Sequence, residues 1–201
     1  MSEHRDIVSI CVYCGSSDRV DDAYLEAAQS MGAAIANRGL SLVFGGGGSG
    51  MMGAVANAAM DCGAEVIGVI PERFNTEELV HTGLTELRVV DTMHIRKAMM
   101  ADMADAFVAL PGGFGTFEEL FEMLTWAQIG LHSKPVGILN IQGYFDPLLT
   151  LIEHAQQQGF LYSEHRSLLV AETDPNQLLE ALSAYQRPAG LERWLNRQKE
   201  D

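Results

Sequence analysis

Phe107-Val108-Ala109-Leu110-Pro111-Gly112-Gly113-Phe114-Gly115-Thr116-Phe117-Glu118-Glu119 joins an apolar run to a glycine turn and then to a helical pattern. Phe107 to Leu110 reads as a buried strand, and Pro111 ends it because proline lacks the N–H that a central ladder needs. The glycines permit a tight turn and let a ligand come close. The pattern puts the helix start at about Phe117, with Thr116 as its N-cap and Glu119 three residues later. Threonine and glutamate at that spacing form a capping box, each satisfying backbone N–H groups of the other. The same helix start offers unpaired N–H groups at the positive end of a dipole and can hold a phosphate. The local pattern admits both readings.

Outward from this stretch, apolar runs alternate with amphipathic ones. Ile7 to Tyr13 is a first strand, apolar on both faces as in the middle of a parallel sheet. It ends in the small turn Cys14-Gly15-Ser16-Ser17, and a helix follows from Asp21 to Arg38. Leu40 to Phe44, Glu65 to Ile70, Glu86 to Val90, Val136 to Leu139 and Leu168 to Ala171 read as further strands. Helices are expected over 50–61, 93–102, 117–130, 146–159 and 174–185, and the tail after Pro188 is charged. The alternation predicts one α/β domain across the chain: a doubly wound, Rossmann-like, mostly parallel sheet in three αβα layers. Ligands of such folds bind at the carboxyl ends of the strands. The glycine turns after Tyr13, Phe44 and Leu110 are candidates to share one cleft.

The chain has 201 residues, enough to bury a substantial core, and no apolar run reaches the ~18 residues that span a bilayer. Its formal net charge is −14, from 13 Lys+Arg against 27 Asp+Glu. Nucleic acids and anionic membranes call for basic patches, so neither is expected as a partner. An anionic ligand would have to be held by local devices against a repulsive background. The charged N-terminus lacks the form of a signal peptide, and a cytoplasmic location is expected. Cys11-x-x-Cys14 has redox or zinc spacing, but Cys11 falls inside a strand and no second ligand pair appears. Cys11, Cys14 and Cys62 are read as small buried residues.

Two further motifs carry possible chemistry. Gly48-Ser49-Gly50-Met51-Met52-Gly53 matches the dinucleotide pattern G-x-G-x-x-G, but it follows the second strand and not the first. The acid that should end the next strand would be Glu72, beyond a proline. A glycine turn that packs its helix and lines a nucleotide pocket fits better. Met93-His94-Ile95-Arg96-Lys97 puts two cations at a helix N-terminus, against the dipole. Lys97 reads as a solvated partner of Asp91, whereas Arg96 can grip a phosphate or carboxylate with two parallel hydrogen bonds. No serine–histidine–aspartate arrangement can be assembled.

Pro111-Gly112-Gly113-Phe114-Gly115-Thr116-Phe117-Glu118-Glu119 resembles the PGGxGTxxE motif of the Lonely Guy (LOG) family, and Met93-His94-Ile95-Arg96-Lys97 resembles its second signature. The turns at Cys14-Gly15-Ser16-Ser17 and Gly50-Met51-Met52-Gly53 are similar as well, and the likeness covers residues 7 to 185. It implies a phosphoribohydrolase that cleaves cytokinin riboside 5′-monophosphates, and AMP, to free base and ribose 5-phosphate. It also implies a homodimer, and no metal or redox cofactor is expected. Nothing in the chain marks a pyridoxal phosphate site, so the lysine decarboxylase label once given to members has no chemical support here.

Carried onto this sequence, the resemblance makes Glu119 and Arg96 the catalytic pair. It places the 5′-phosphate on Gly113, Gly115 and Thr116, within a substrate-binding loop that includes Gly112 and Phe114. Glu78, Lys97 and Glu118 are implied as substrate contacts, although Glu118 points ~100° away from Glu119 around the helix. The competing reading is a non-catalytic nucleotide or molybdenum-cofactor carrier on the same fold. A pure binder needs no carboxylate beside an anomeric carbon, so Glu119 with Arg96 separates the two.

Overall fold

A computed structural model describes residues 6–191. Seven strands form one sheet: β1 (Ser9–Tyr13), β2 (Ser41–Phe44), β3 (Val66–Pro71), β4 (Glu86–Val90), β5 (Ala106–Ala109), β6 (Val136–Leu139) and β7 (Leu169–Glu172). All neighbouring pairs are parallel, in the order β4-β3-β2-β1-β5-β6-β7. The helices are α1 (Asp22–Asn37), α2 (Gly50–Asp61), α3 (Met93–Met103), α4 (Phe114–Gln128), α5 (Asp146–Gln157), α6 (Ser163–Arg166) and α7 (Pro175–Ser183). The expected doubly wound α/β architecture is therefore present.

Alternation along the central strand builds the layers. Ile10 and Val12 face α1, α2 and α7 through Met31, Ile35, Val55 and Leu178, whereas Cys11 and Tyr13 face α3, α4 and α5 through Met100, Leu120, Met123 and Ile152. Opposite faces of one strand are thus buried by different helices, which is why the strand is apolar throughout. The Cys11-x-x-Cys14 pair falls apart on the same ground. Both thiols are buried but belong to different layers, and burial pushes each well above the ordinary thiol range. Cys62, expected to be buried, is exposed at the end of α2.

Most element boundaries match the sequence reading within two residues, but one at the ligand end does not. Helix α4 begins at Phe114, with Gly113 in extended conformation (φ −96°, ψ −155°) as its N-cap. Thr116 is inside the first turn, so the capping box does not form. The short helix α6 and the turn at Ile141–Gly143 were also not anticipated. Of the charged tail after Pro188, residues 192–201 lie outside the described residues.

After β4 the chain crosses back to place β5 on the other side of β1. This reversal opens a crevice above the carboxyl ends of β1 and β5. At the opposite end the two strands are clamped together. Asp105 Oδ2 accepts from the N–H groups of Val8 (3.1 Å) and Ser9 (3.2 Å), and Ser9 Oγ lies 3.0 Å away. The Asp105 N–H donates back to Ser9 O at 3.0 Å. Asp105→Ala leaves the Val8 and Ser9 N–H groups without their acceptor and is expected to cost ~2 kcal/mol. Urea denaturation should show a lower midpoint with an unchanged slope.

Candidate active site

The three glycine turns meet at the crevice. Gly15 N–H donates to Pro111 O (3.0 Å), Met51 N–H to Gly15 O (3.0 Å), and Ser49 Oγ to Ser16 O (2.9 Å). A cavity of about 300 Å³ lies against this seam, lined among others by Ser17, Val20, Tyr24, Met51, Gly113 and Tyr144. The expected shared cleft is present, and the glycine turn before α2 packs its helix, since a Cβ on Gly53 would sit 2.2 Å from Gly48 O.

The first helical hydrogen bond of α4 runs from Phe117 N–H to Gly113 O at 3.0 Å, and no side chain caps the helix. The N–H groups of Phe114, Gly115 and Thr116 therefore point out of the helix start without helical acceptors. Gly112 has no room for a side chain, because a Cβ there would lie 2.1 Å from Thr116 Oγ1 and 2.9 Å from Gly15 N. Without a side chain at Gly112 the loop packs closely on the Cys14–Ser17 turn and on Thr116.

Glu119 follows on the next turn of α4, on the face turned toward α3. It is 9% exposed, and its Oε1 accepts from Arg96 Nη1 at 2.9 Å. Arg96 reaches across from α3, and its Nε donates to Val69 O at the end of β3 (3.0 Å). Thr92 caps α3 by accepting from the Ile95 N–H at 3.2 Å, which fixes the turn from which Arg96 projects. A glycine makes the reach possible: a Cβ on Gly45 would fall 2.1 Å from Arg96 Nη2. Burial pushes the Glu119 carboxyl above the usual carboxylate range, and the Arg96 charge and hydrogen bond pull it partway back. The result is a desolvated carboxylate whose ionised form is supported from one side.

Beside it lies a second charged group. Lys97 is 7% exposed, and its Nζ donates to Glu118 Oε1 and to Glu122 Oε1 (2.9 Å). The reading of Lys97 as a solvated partner of Asp91 is therefore wrong. A lysine at this turn of α3 faces the i,i+4 carboxylates of α4, and the two helices share a charged seam.

A family model described as "Possible lysine decarboxylase" matches residues 52–182. The chain is 46% identical over 176 residues to cytokinin riboside 5′-monophosphate phosphoribohydrolase LOG of Oryza sativa subsp. japonica, covering 88% of this chain and 73% of that protein. It is also 46% identical to cytokinin riboside 5′-monophosphate phosphoribohydrolase LOG2 of Arabidopsis thaliana, over 88% of this chain and 83% of the relative. The chain belongs to the LOG family. The molybdenum cofactor carrier protein of Chlamydomonas reinhardtii superposes with a TM-score of 0.68 at 22% identity, covering 90% of this chain and all of that one; it shares the fold.

Against this LOG framework, the structure brings Arg96, Lys97, Glu118 and Glu119 together, and places Gly112, Gly113, Gly115 and Thr116 at the α4 start. Phe114 stands beside them and is 94% exposed. Glu78 lies on an exposed turn that packs against the glycine loop after β2, where Leu79 O accepts from Gly48 N–H at 2.9 Å. Its carboxyl is held below the ordinary range by its own backbone N–H and the Thr76 hydroxyl, and among the described residues no ion pair joins it to Arg96. The sequence reading missed Gly45, the Val69 carbonyl, Glu122 and Tyr144. Only Glu122 had a signal, its i+4 spacing from Glu118.

Because Arg96 lowers the Glu119 pKa, removing its grip raises it. Gly45→Ala displaces the end of a flexible side chain and should leave the fold intact. Carboxyl ¹³C NMR should show Glu119 titrating above 4.5 in the parent protein and higher still in the variant.

Proposed function

We infer that the chain is a phosphoribohydrolase: it hydrolyses the N-glycosidic bond of cytokinin riboside 5′-monophosphates, and of AMP, to free base and ribose 5-phosphate. The observation that carries this reading is the buried Glu119 carboxylate, paired with Arg96, one turn inside the uncapped start of α4. A phosphate held by the N–H groups of Phe114, Gly115 and Thr116 would leave its ribose reaching along the helix toward Glu119.

The chemistry follows from that placement. As the C1′–N bond breaks, its electron pair leaves with the base and positive charge builds on the sugar. A desolvated carboxylate at that point stabilises the charge and orients the attacking water, whose oxygen bonds to C1′ while its proton passes to solvent or base. Arg96 keeps Glu119 ionised and aimed. In this reading Gly112 and Gly113 shape the phosphate loop, and the exposed Phe114 ring covers the ligand. Glu118 and Glu78 are substrate contacts at the rim, and the buried Lys97 holds the Glu118 carboxylate in place.

Purified protein should release base and ribose 5-phosphate from AMP and from isopentenyladenosine 5′-monophosphate, separated by chromatography, but not from adenosine. Glu119→Gln should lower kcat by at least ~10²-fold. The raised Glu119 pKa sets the sign of the pH dependence. Activity requires the ionised form, so kcat/KM should fall on the acid side at a pH above the ordinary glutamate value. Binding without turnover would instead favour a carrier.

We also propose a homodimer in the cytoplasm, with neither nucleic acid nor membrane as partner. Met93 and Ile95 on α3 and Phe121 on α4 expose apolar side chains beside the site, which a second copy would cover. Native mass spectrometry should give twice the chain mass, and a monomer alone would contradict the assembly.

A further inference from the structure

We propose that Tyr144 is a positioning residue for the substrate phosphate, acting by locking the Gly112–Gly113 peptide; this rests on the reading of the α4 start as the phosphate site. The Tyr144 hydroxyl donates to Gly112 O across 32 residues of chain. Among the described residues no cis peptide occurs, and in a trans peptide the C=O and the next N–H point in opposite directions. Holding the Gly112 carbonyl at Tyr144 therefore turns the Gly113 N–H away from it and keeps the carbonyl lone pairs off an anion at the helix start. The peptide lies between two glycines, which resist rotation least of all residues. Released, it can turn over and set an acceptor where a donor is required.

The surroundings of Tyr144 are built to hold that hydroxyl in place. The ring stacks on Phe117 of α4 (centroids 6.4 Å, 12° between planes) and meets Tyr24 edge-on at 6.0 Å. Its backbone leaves a turn in which Gln142 has φ +50° and Gly143 φ +70°. Positive φ at a non-glycine residue is costly and persists only where neighbours enforce it. Here Asn140 does so: its Nδ2 donates to Asp146 Oδ1 (2.7 Å) and its Oδ1 accepts from the N–H of Phe145 (2.8 Å), whose ring is fully buried. The loop after β6 is thereby anchored to the core and delivers one hydroxyl to the loop after β5.

Tyr144→Phe keeps the stacking and removes only the hydroxyl, so the melting temperature should stay close to that of the parent protein. The substrate phosphate is gripped equally before and during reaction, so KM for AMP should rise roughly ten-fold with kcat changed less than about two-fold. Competitive inhibition by ribose 5-phosphate should weaken in parallel, and inhibition by adenine should not. An unchanged KM, a fall in kcat alone, or equal weakening of both inhibitors overturns the proposal. Calorimetric titration with inorganic phosphate separates it from the assignment of the reaction. If the parent protein cleaves no monophosphate, that assignment fails, while weaker phosphate binding by the variant still supports the role of Tyr144. Equal binding, or none to either protein, overturns it.

Discussion

The pairing of β5 with β1, instead of with β4 that precedes it, is the constraint from which the rest follows. It forces the chain to cross the sheet and leaves the loops after β1 and β5 facing one another at the carboxyl edge. Asp105 and Ser9 hold the amino ends of the two strands in register, so the separation of the loops above them is set by the sheet and not by the loops themselves. The α4 start, the Cys14–Ser17 turn and the crevice between them are consequences of one choice of strand neighbour.

The electrostatics of the site run against those of the chain. A net charge of −14 disfavours anions, yet the cleft offers backbone N–H groups at a helix start, which carry no counter-charge and cost no side-chain ordering. The cations that reach the site are already engaged: Arg96 by Glu119 and the Val69 carbonyl, Lys97 by Glu118 and Glu122. Through these bonds they hold carboxylates in place. Taking Glu119 out of water is expensive, and Arg96 offsets part of that expense. What remains is a carboxylate with a raised pKa at a defined point along α4, the kind of perturbation that marks reacting groups.

Much of this was legible in the sequence, because parallel strands buried on both faces read as continuous apolar runs and glycine turns interrupt them at the ligand edge. Glu119 and Arg96 stood out through motif resemblance, and Arg96 also because a cation at a helix start works against the dipole. The illegible parts depend on contacts between distant elements. Thr116 matches a capping box, but Gly113 O accepts from the Phe117 N–H and puts Thr116 inside the first turn, while Glu119 pairs with Arg96. Lys97 looked solvated until α4 laid two carboxylates over it. Gly45 was one glycine among several, and only the approach of Arg96 from another helix shows why it has no side chain.

The central claim is geometric: the phosphate sits on the start of α4 and the anomeric carbon faces Glu119. A crystal structure of the protein with ribose 5-phosphate tests it most directly. The account predicts phosphate oxygens within hydrogen-bonding distance of the Phe114, Gly115 and Thr116 N–H groups, and C1′ beside the Glu119 carboxylate still held by Arg96. A phosphate bound elsewhere in the crevice, or a C1′ turned away from Glu119, would contradict it.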